Sequence, residues 1–136
     1  MSYGVSAALQ AAVFQQLQGD AALAALVGSD IFDAAPPGAV PDIYVSLGPE
    51  DVRDASDKTG VGASHEFVVS VVSQAAGFRS AKDAAAAVSD ALVGAALTLT
   101  RGQLVSLNFV RARAKRVQDA DVRRIDLRFR ARVQDN

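Results

Sequence analysis

The 136-residue chain contains no cysteine and no tryptophan, and has a single histidine. Without cysteine there is no disulfide framework, no thiolate nucleophile and no Cys-based metal site. The absence of tryptophan, with alanine used heavily, points to a core of small, closely approached side chains. No apolar run approaches the length of a membrane span. The start, Met1-Ser2-Tyr3-Gly4, lacks the basic and apolar regions of a signal peptide, so a soluble protein is expected. Half of the residues are hydrophobic and 21% are charged, which excludes a disordered chain and suits one globular domain over residues 1–136.

Charge is short only in the sum. The net charge is −1, yet residues 101–136 carry ten Lys/Arg against four acids, a net of +6. The remaining residues carry four Lys/Arg against eleven acids, a net of −7. Such a chain can bind copies of itself as readily as a polyanion.

The strongest pattern is at the C-terminal end. Ile125, Leu127, Phe129, Ala131 and Val133 alternate with Arg124, Asp126, Arg128, Arg130 and Arg132. Period two predicts a strand with one buried and one wet face. Its partner runs from Leu104 to about Gln118, with Asp119-Ala120-Asp121 as the turn, so residues 104–133 form one long hairpin. At about 3.3 Å per residue, twelve residues span roughly 40 Å. The first strand changes parity near Phe109-Val110, which predicts a β-bulge. A hairpin alone is marginal and needs a cover for its apolar face.

Earlier segments can supply that cover. Val5, Leu9, Ala12, Val13 and Leu17 predict an amphipathic helix over residues 5–18. Asp20 is placed to cap a short second helix that stops at Gly28. Ile31-Phe32 begins an extended piece, and the proline-rich residues 35–41 cannot be regular structure. Residues 43–47 predict a strand ended by Gly48-Pro49. Residues 49–64 have little to bury and are expected to be a mobile loop that orders against a neighbour. His65 to Gln74 follows as a strand with apolar residues on both faces, as a central strand has. Ser80 is expected to cap the second main helix, with Ala84, Ala85, Val88, Leu92 and Val93 on its apolar stripe. The expected fold class is α+β: a mostly antiparallel sheet with a long C-terminal hairpin, flanked by two main helices.

Candidate chemistry is sparse. Ser64 and His65 are adjacent in a strand and point to opposite faces, so they form no nucleophile–base pair, and His65 is read as structural. Gly60-Val61-Gly62 lacks the third glycine and setting of a nucleotide fingerprint, and reads as a flexible loop. Asp51, Asp54 and Asp57 recur every third residue, whereas a calcium loop needs alternate acids. No catalytic, cofactor or metal site is expected, and so no enzyme. Three uses remain for the basic face of Arg111, Arg113, Arg124, Arg128, Arg130 and Arg132: solvated surface, phosphate binding, or a subunit or partner interface. The third is favoured, with Glu50, Asp51, Asp54 and Asp57 of the acidic loop as the complementary side. No aromatic side chain interleaves with these arginines to stack on bases.

The order of segments carries more. Asp20-Ala-Ala-Leu-Ala-Ala-Leu-Val-Gly28 precedes Ile31-Phe-Asp-Ala-Ala-Pro36 and Tyr44-Val-Ser-Leu-Gly48. Lys58-Thr59, His65-Glu66, Ser80-Ala-Lys-Asp83, Leu97-Thr-Leu99, Gly102-Gln-Leu-Val-Ser-Leu107 and Arg123-Arg-Ile-Asp-Leu-Arg-Phe-Arg130 follow. This succession, over nearly the whole chain, resembles the tail terminator (tail completion) family of long-tailed bacteriophages. It is most similar to the form found in alphaproteobacterial gene transfer agents. The resemblance implies a structural virion protein, without catalytic residues, that forms a homo-hexameric ring at the head-proximal end of the tail. There it would stop polymerisation of the tail tube protein and meet the head-side connector. DNA would pass through the channel without specific binding, and no membrane is involved. The implied location is the neck region of the virion, after assembly in the host cytoplasm. The alternative is a small nucleic-acid-binding module that uses the basic hairpin.

Overall fold

The computed structural model describes residues 3–34, 36, 38–58, 60–118 and 121–135. Helices α1 (Ser6–Gln18) and α2 (Ala21–Val27) come first. Strands β1 (Ile31–Phe32), β2 (Ile43–Asp54) and β3 (Gly62–Ser73) follow, then helix α3 (Arg79–Leu92) and strands β4 (Gln103–Val117) and β5 (Val122–Gln134). The strands form one sheet in the order β1-β2-β3-β5-β4. Every pairing is antiparallel except that of β1 with β2. This is the expected α+β class.

The C-terminal hairpin forms as its alternation dictates. Ile125, Leu127, Phe129, Ala131 and Val133 are all buried, and Phe67 and Phe109 pack their rings around Phe129. The register of β4 against β5 slips between Phe109 and Arg111, at the expected bulge. A second slip lies between Leu104 and Ser106. Of the expected turn, Asp119 and Ala120 lie outside the described residues. Asp121 has a positive φ of 49°, a conformation that Asp tolerates in tight turns.

One face of the sheet is covered by helices. Val5, Leu9, Ala12, Val13 and Leu17 are buried as their spacing requires. Asp20 caps α2 by accepting the Leu23 N–H at 2.9 Å, and Gly28 ends that helix with φ 62°. The alanines of α3 bring it close to the sheet: Ala81, Ala84, Ala85, Ala87, Val88, Ala91 and Leu92 are buried. Strand β3 is central, and Val68 and Val72 on its other face are buried too.

Five expectations need correction. Strand β2 does not end at Gly48-Pro49. The register shifts between Leu47 and Glu50, and pairing resumes to Asp54, so the dipeptide forms a bulge. Proline is tolerated there because β1 pairs only with Val45 and Ser46, leaving Pro49 on an open edge. The expected mobile loop over residues 49–64 is therefore mostly hairpin. Only residues 55–61 connect the strands, closed by Ala55 N–H to Gly62 O at 2.9 Å and Asp57 N–H to Gly60 O at 3.1 Å. Likewise, Gly60 bridges Asp57 and Gly62 begins β3, where an added Cβ would lie 2.9 Å from the Ala55 oxygen. Finally, α3 starts one residue before Ser80. Phe78 holds the cap position without a side-chain hydrogen bond, its carbonyl taking the Lys82 N–H at 2.8 Å. At the other end Val93 is extended and exposed rather than part of the stripe.

Candidate functional site

Helices cover one face of the sheet and leave the other open, and the basic residues lie on the open one. Cross-strand partners share a face, so Arg111 beside Arg128, Arg113 beside Asp126 and Lys115 beside Arg124 stand together with Arg130 and Arg132. Five of these cations surround a shallow cleft of about 240 Å³ above Val68 and Pro49.

The two halves of this face differ. On β5 the arginines are engaged. Arg124 Nε donates to Asp126 Oδ1 at 2.9 Å, and its Nη2 donates to Ser70 Oγ at 3.2 Å. Ser70 in turn donates to Asp126 Oδ1 at 2.6 Å. Arg130 Nη2 donates to Glu66 Oε2 at 2.9 Å, while Arg128 lies 3.7 Å from Glu66 and 3.9 Å from Asp51. Arg132 donates to the Ala55 carbonyl at 3.4 Å. On β4, Arg111 and Arg113 are exposed and form no ion pair among the described residues. Fixed cations with few counter-charges favour an anionic partner over a neutral one.

The carboxylates respond accordingly. Burial works to raise the Asp126 carboxyl, but hydrogen bonds from Ser70 and Arg124 and the charges of Arg124 and Lys115 outweigh it and hold it below its usual range. The hydrogen bond from Arg130 lowers Glu66 in the same way.

The acids expected to form the complementary side are divided. Asp51 is on the open face, 81% exposed, beside Arg128 of its own chain. Asp54 is used locally, accepting Ser56 Oγ at 2.7 Å, and Asp57 accepts the Gly60 N–H at 3.0 Å. Glu50 points the other way, towards α1. It accepts Ser6 Oγ at 2.6 Å, Tyr3 Oη at 2.7 Å and a contact from His65 Nδ1 at 3.2 Å. His65 is fully buried with Tyr3 stacked on its ring, while Ser64 sits on the open face beside Arg132. His65 is thus a core residue, as the sequence suggests. Among the described residues no cluster of His, Asp or Glu could hold a metal ion.

Two groups escape the sequence reading. Glu66 and Ser70 complete the open-face network, and a signal existed: with Ser64 they are the polar positions of one parity in β3. The Glu50 cluster had no such signal, because it joins residues 44 and 47 positions apart.

Glu50 carries a pH prediction. Burial raises its carboxyl, but hydrogen bonds from Ser6, Tyr3 and His65 outweigh this and set it below its usual value of 4.5. A lowered folded value contributes stability above the unfolded value and loses it as pH falls through the folded one. Glu50→Gln is therefore expected to be less stable than wild type at pH 7, by about 1–3 kcal/mol for the impaired hydrogen bonds. The gap should narrow as pH falls below the ordinary glutamate value and close as it passes through the lowered folded one. Thermal melts across pH check this, and a gap unchanged down to pH 3 would contradict it.

With this geometry in place, comparison with known proteins is informative. The family model described as "Tail completion protein gp17" matches residues 11–134. A chain in a solved structure titled "Virion of native gene transfer agent (GTA) particle" is 68% identical to this one. That match covers 98% of this chain and 99% of the other, with a TM-score of 0.92. No curated protein sequence matches.

Proposed function

Because the chain belongs to the tail completion protein gp17 family, we propose that it is a tail terminator: a non-enzymatic ring of six copies at the head-proximal end of a tail tube. The observation that carries this reading is the 68% identity, across nearly the whole of both chains, to a component of a gene transfer agent virion. In this role one side of the ring binds the last layer of tail tube protein and the other binds the head-side connector. A subunit that mimics a tube subunit on one side only both joins and stops a polymer. The single domain works in the neck of the particle after assembly in the cytoplasm, and DNA crosses the ring without specific binding.

The open basic face serves as an interface in this account. Arg111, Arg113, Arg124, Arg128, Arg130 and Arg132 meet acidic groups of a neighbouring subunit or partner, and Asp51 is the one expected acid placed on the same face. A nucleic-acid-binding module is the second reading, favoured by Arg111 and Arg113, which form no ion pair among the described residues. A salt series on the isolated protein separates the two: DNA binding through phosphates gives a log–log slope of about −0.9 per contact.

Particles made without this protein test the assignment. Filled heads should fail to join normal tails, and tubes of uncontrolled length should appear. Normal joined particles would contradict it.

A further inference from the structure

The two edges of the sheet carry opposite charge at the same level. Residues 1–52 contain no Lys, Arg or His. Three of their acids, Asp30, Asp33 and Asp42, flank β1 and the start of β2, and none forms an ion pair among the described residues. At the opposite edge β4 presents Arg111, Arg113, Lys115 and Arg116, all exposed. Of these, Arg116 is held by Asp121 at 2.8 Å and Lys115 lies 3.9 Å from Asp126.

The register links these edges. Phe32 pairs with Ser46, Ser46 with Ser70, Ser70 with Asp126 and Asp126 with Arg113. Ile31 is level with Ala114 by the same count through Val45, Val71 and Ile125. Asp30 and Asp33 thus bracket the level at which Arg113 and Lys115 stand. Strand direction agrees: three successive antiparallel pairings between β2 and β4, with β1 parallel to β2, make β1 and β4 antiparallel. A second copy placed beside the first in the same orientation therefore offers its β1 antiparallel to β4, acid against base, without sliding.

We infer that the protein joins to itself head to tail, the basic β4 edge of one copy against the acidic β1 edge of the next. Basic residues on a sheet edge commonly blunt unwanted pairing. Here they deter another basic edge and admit the acidic one, which makes the contact selective for the opposite edge of the same protein. A contact between two different edges is heterologous, so repetition gives a ring or an open filament and not a closed dimer. The inference rests on the ring reading and specifies how its copies meet.

Charge exchange tests it in particles produced by cells whose own copy is deleted. One variant is Arg113→Glu with Lys115→Glu, and the other is Asp30→Lys with Asp33→Lys. Circular dichroism selects folded variants, with serine at the same positions where the charge reversal unfolds the subunit. Each folded variant alone should lower the yield of joined particles by on the order of tenfold or more. The two together should restore it, because each reversed edge then meets its complement around an alternating ring. Normal yield from either alone, or no recovery from the mixture, overturns the edge pairing and leaves the ring reading standing. Wild-type copies absent from the neck of joined particles would overturn the ring reading, and the pairing with it.

Discussion

Leu127→Asp is expected not to fold. Leu127 is 3% exposed on the helix-covered face, between Val69 of β3 and Ala112 of β4. The substitution removes a core side chain, worth about 2–5 kcal/mol when Leu is truncated. It also leaves a carboxylate in apolar surroundings, which costs several kcal/mol more or forces its protonation. Together these match the whole stability of an ordinary domain, about 5–15 kcal/mol. Circular dichroism and solubility should report an unfolded or aggregated chain. Arg132→Asp, five residues on and across the sheet, should stay folded, since its side chain is exposed and gives one long hydrogen bond to a carbonyl. A cooperative Leu127→Asp melt within a few degrees of wild type would contradict the assigned faces.

The double change Arg128→Glu, Arg130→Glu is expected to separate folding from assembly. Both residues are on the open face, so the core is untouched. Both also neighbour Glu66, at 3.7 and 2.9 Å, and the new glutamates would crowd that carboxylate. Some loss of thermal stability should follow, because like charges across a strand pair repel. It should be greater above neutral pH than in acid, since protonating Glu66 relieves the crowding. The larger effect is on incorporation: a face that met acidic groups would now repel them at several kcal/mol per interface, repeated around the ring. Microscopy should find a folded subunit missing from particles. Normal incorporation would mean that this face meets solvent, and normal assembly with altered genome retention would mean that it meets DNA.

What was legible in the sequence depended on locality. Period two in β5 and helical spacing in α1 are set within a few residues, and the burial of Phe129, Leu127, Leu9 and Leu17 follows. The Asp20 cap and Gly28 stop are local as well. The second half of β2 was not legible, because Glu50-Asp-Val-Arg-Asp54 has no strand-like alternation of its own. It is held in the sheet by β3, through pairs such as Val52 with His65 and Asp54 with Ala63. Tertiary pairing there overrides a polar composition. The same limit applied to the site. The arginines could be assigned to one face from their parity, but not their partners: Glu66 is 64 positions from Arg130. The likeness to tail completion proteins was carried by the order of segments from Asp20 to Arg130, which lies within the family match at residues 11–134.

The central claim is that copies of this chain form one ring that ends a tail. Averaged images of intact particles, with the protein located by a small tag on an exposed position such as Val40, test it most directly. The account predicts six tags in a single layer between the last tube ring and the head-side connector. Tags repeated along the tube, or none at the neck, would contradict it.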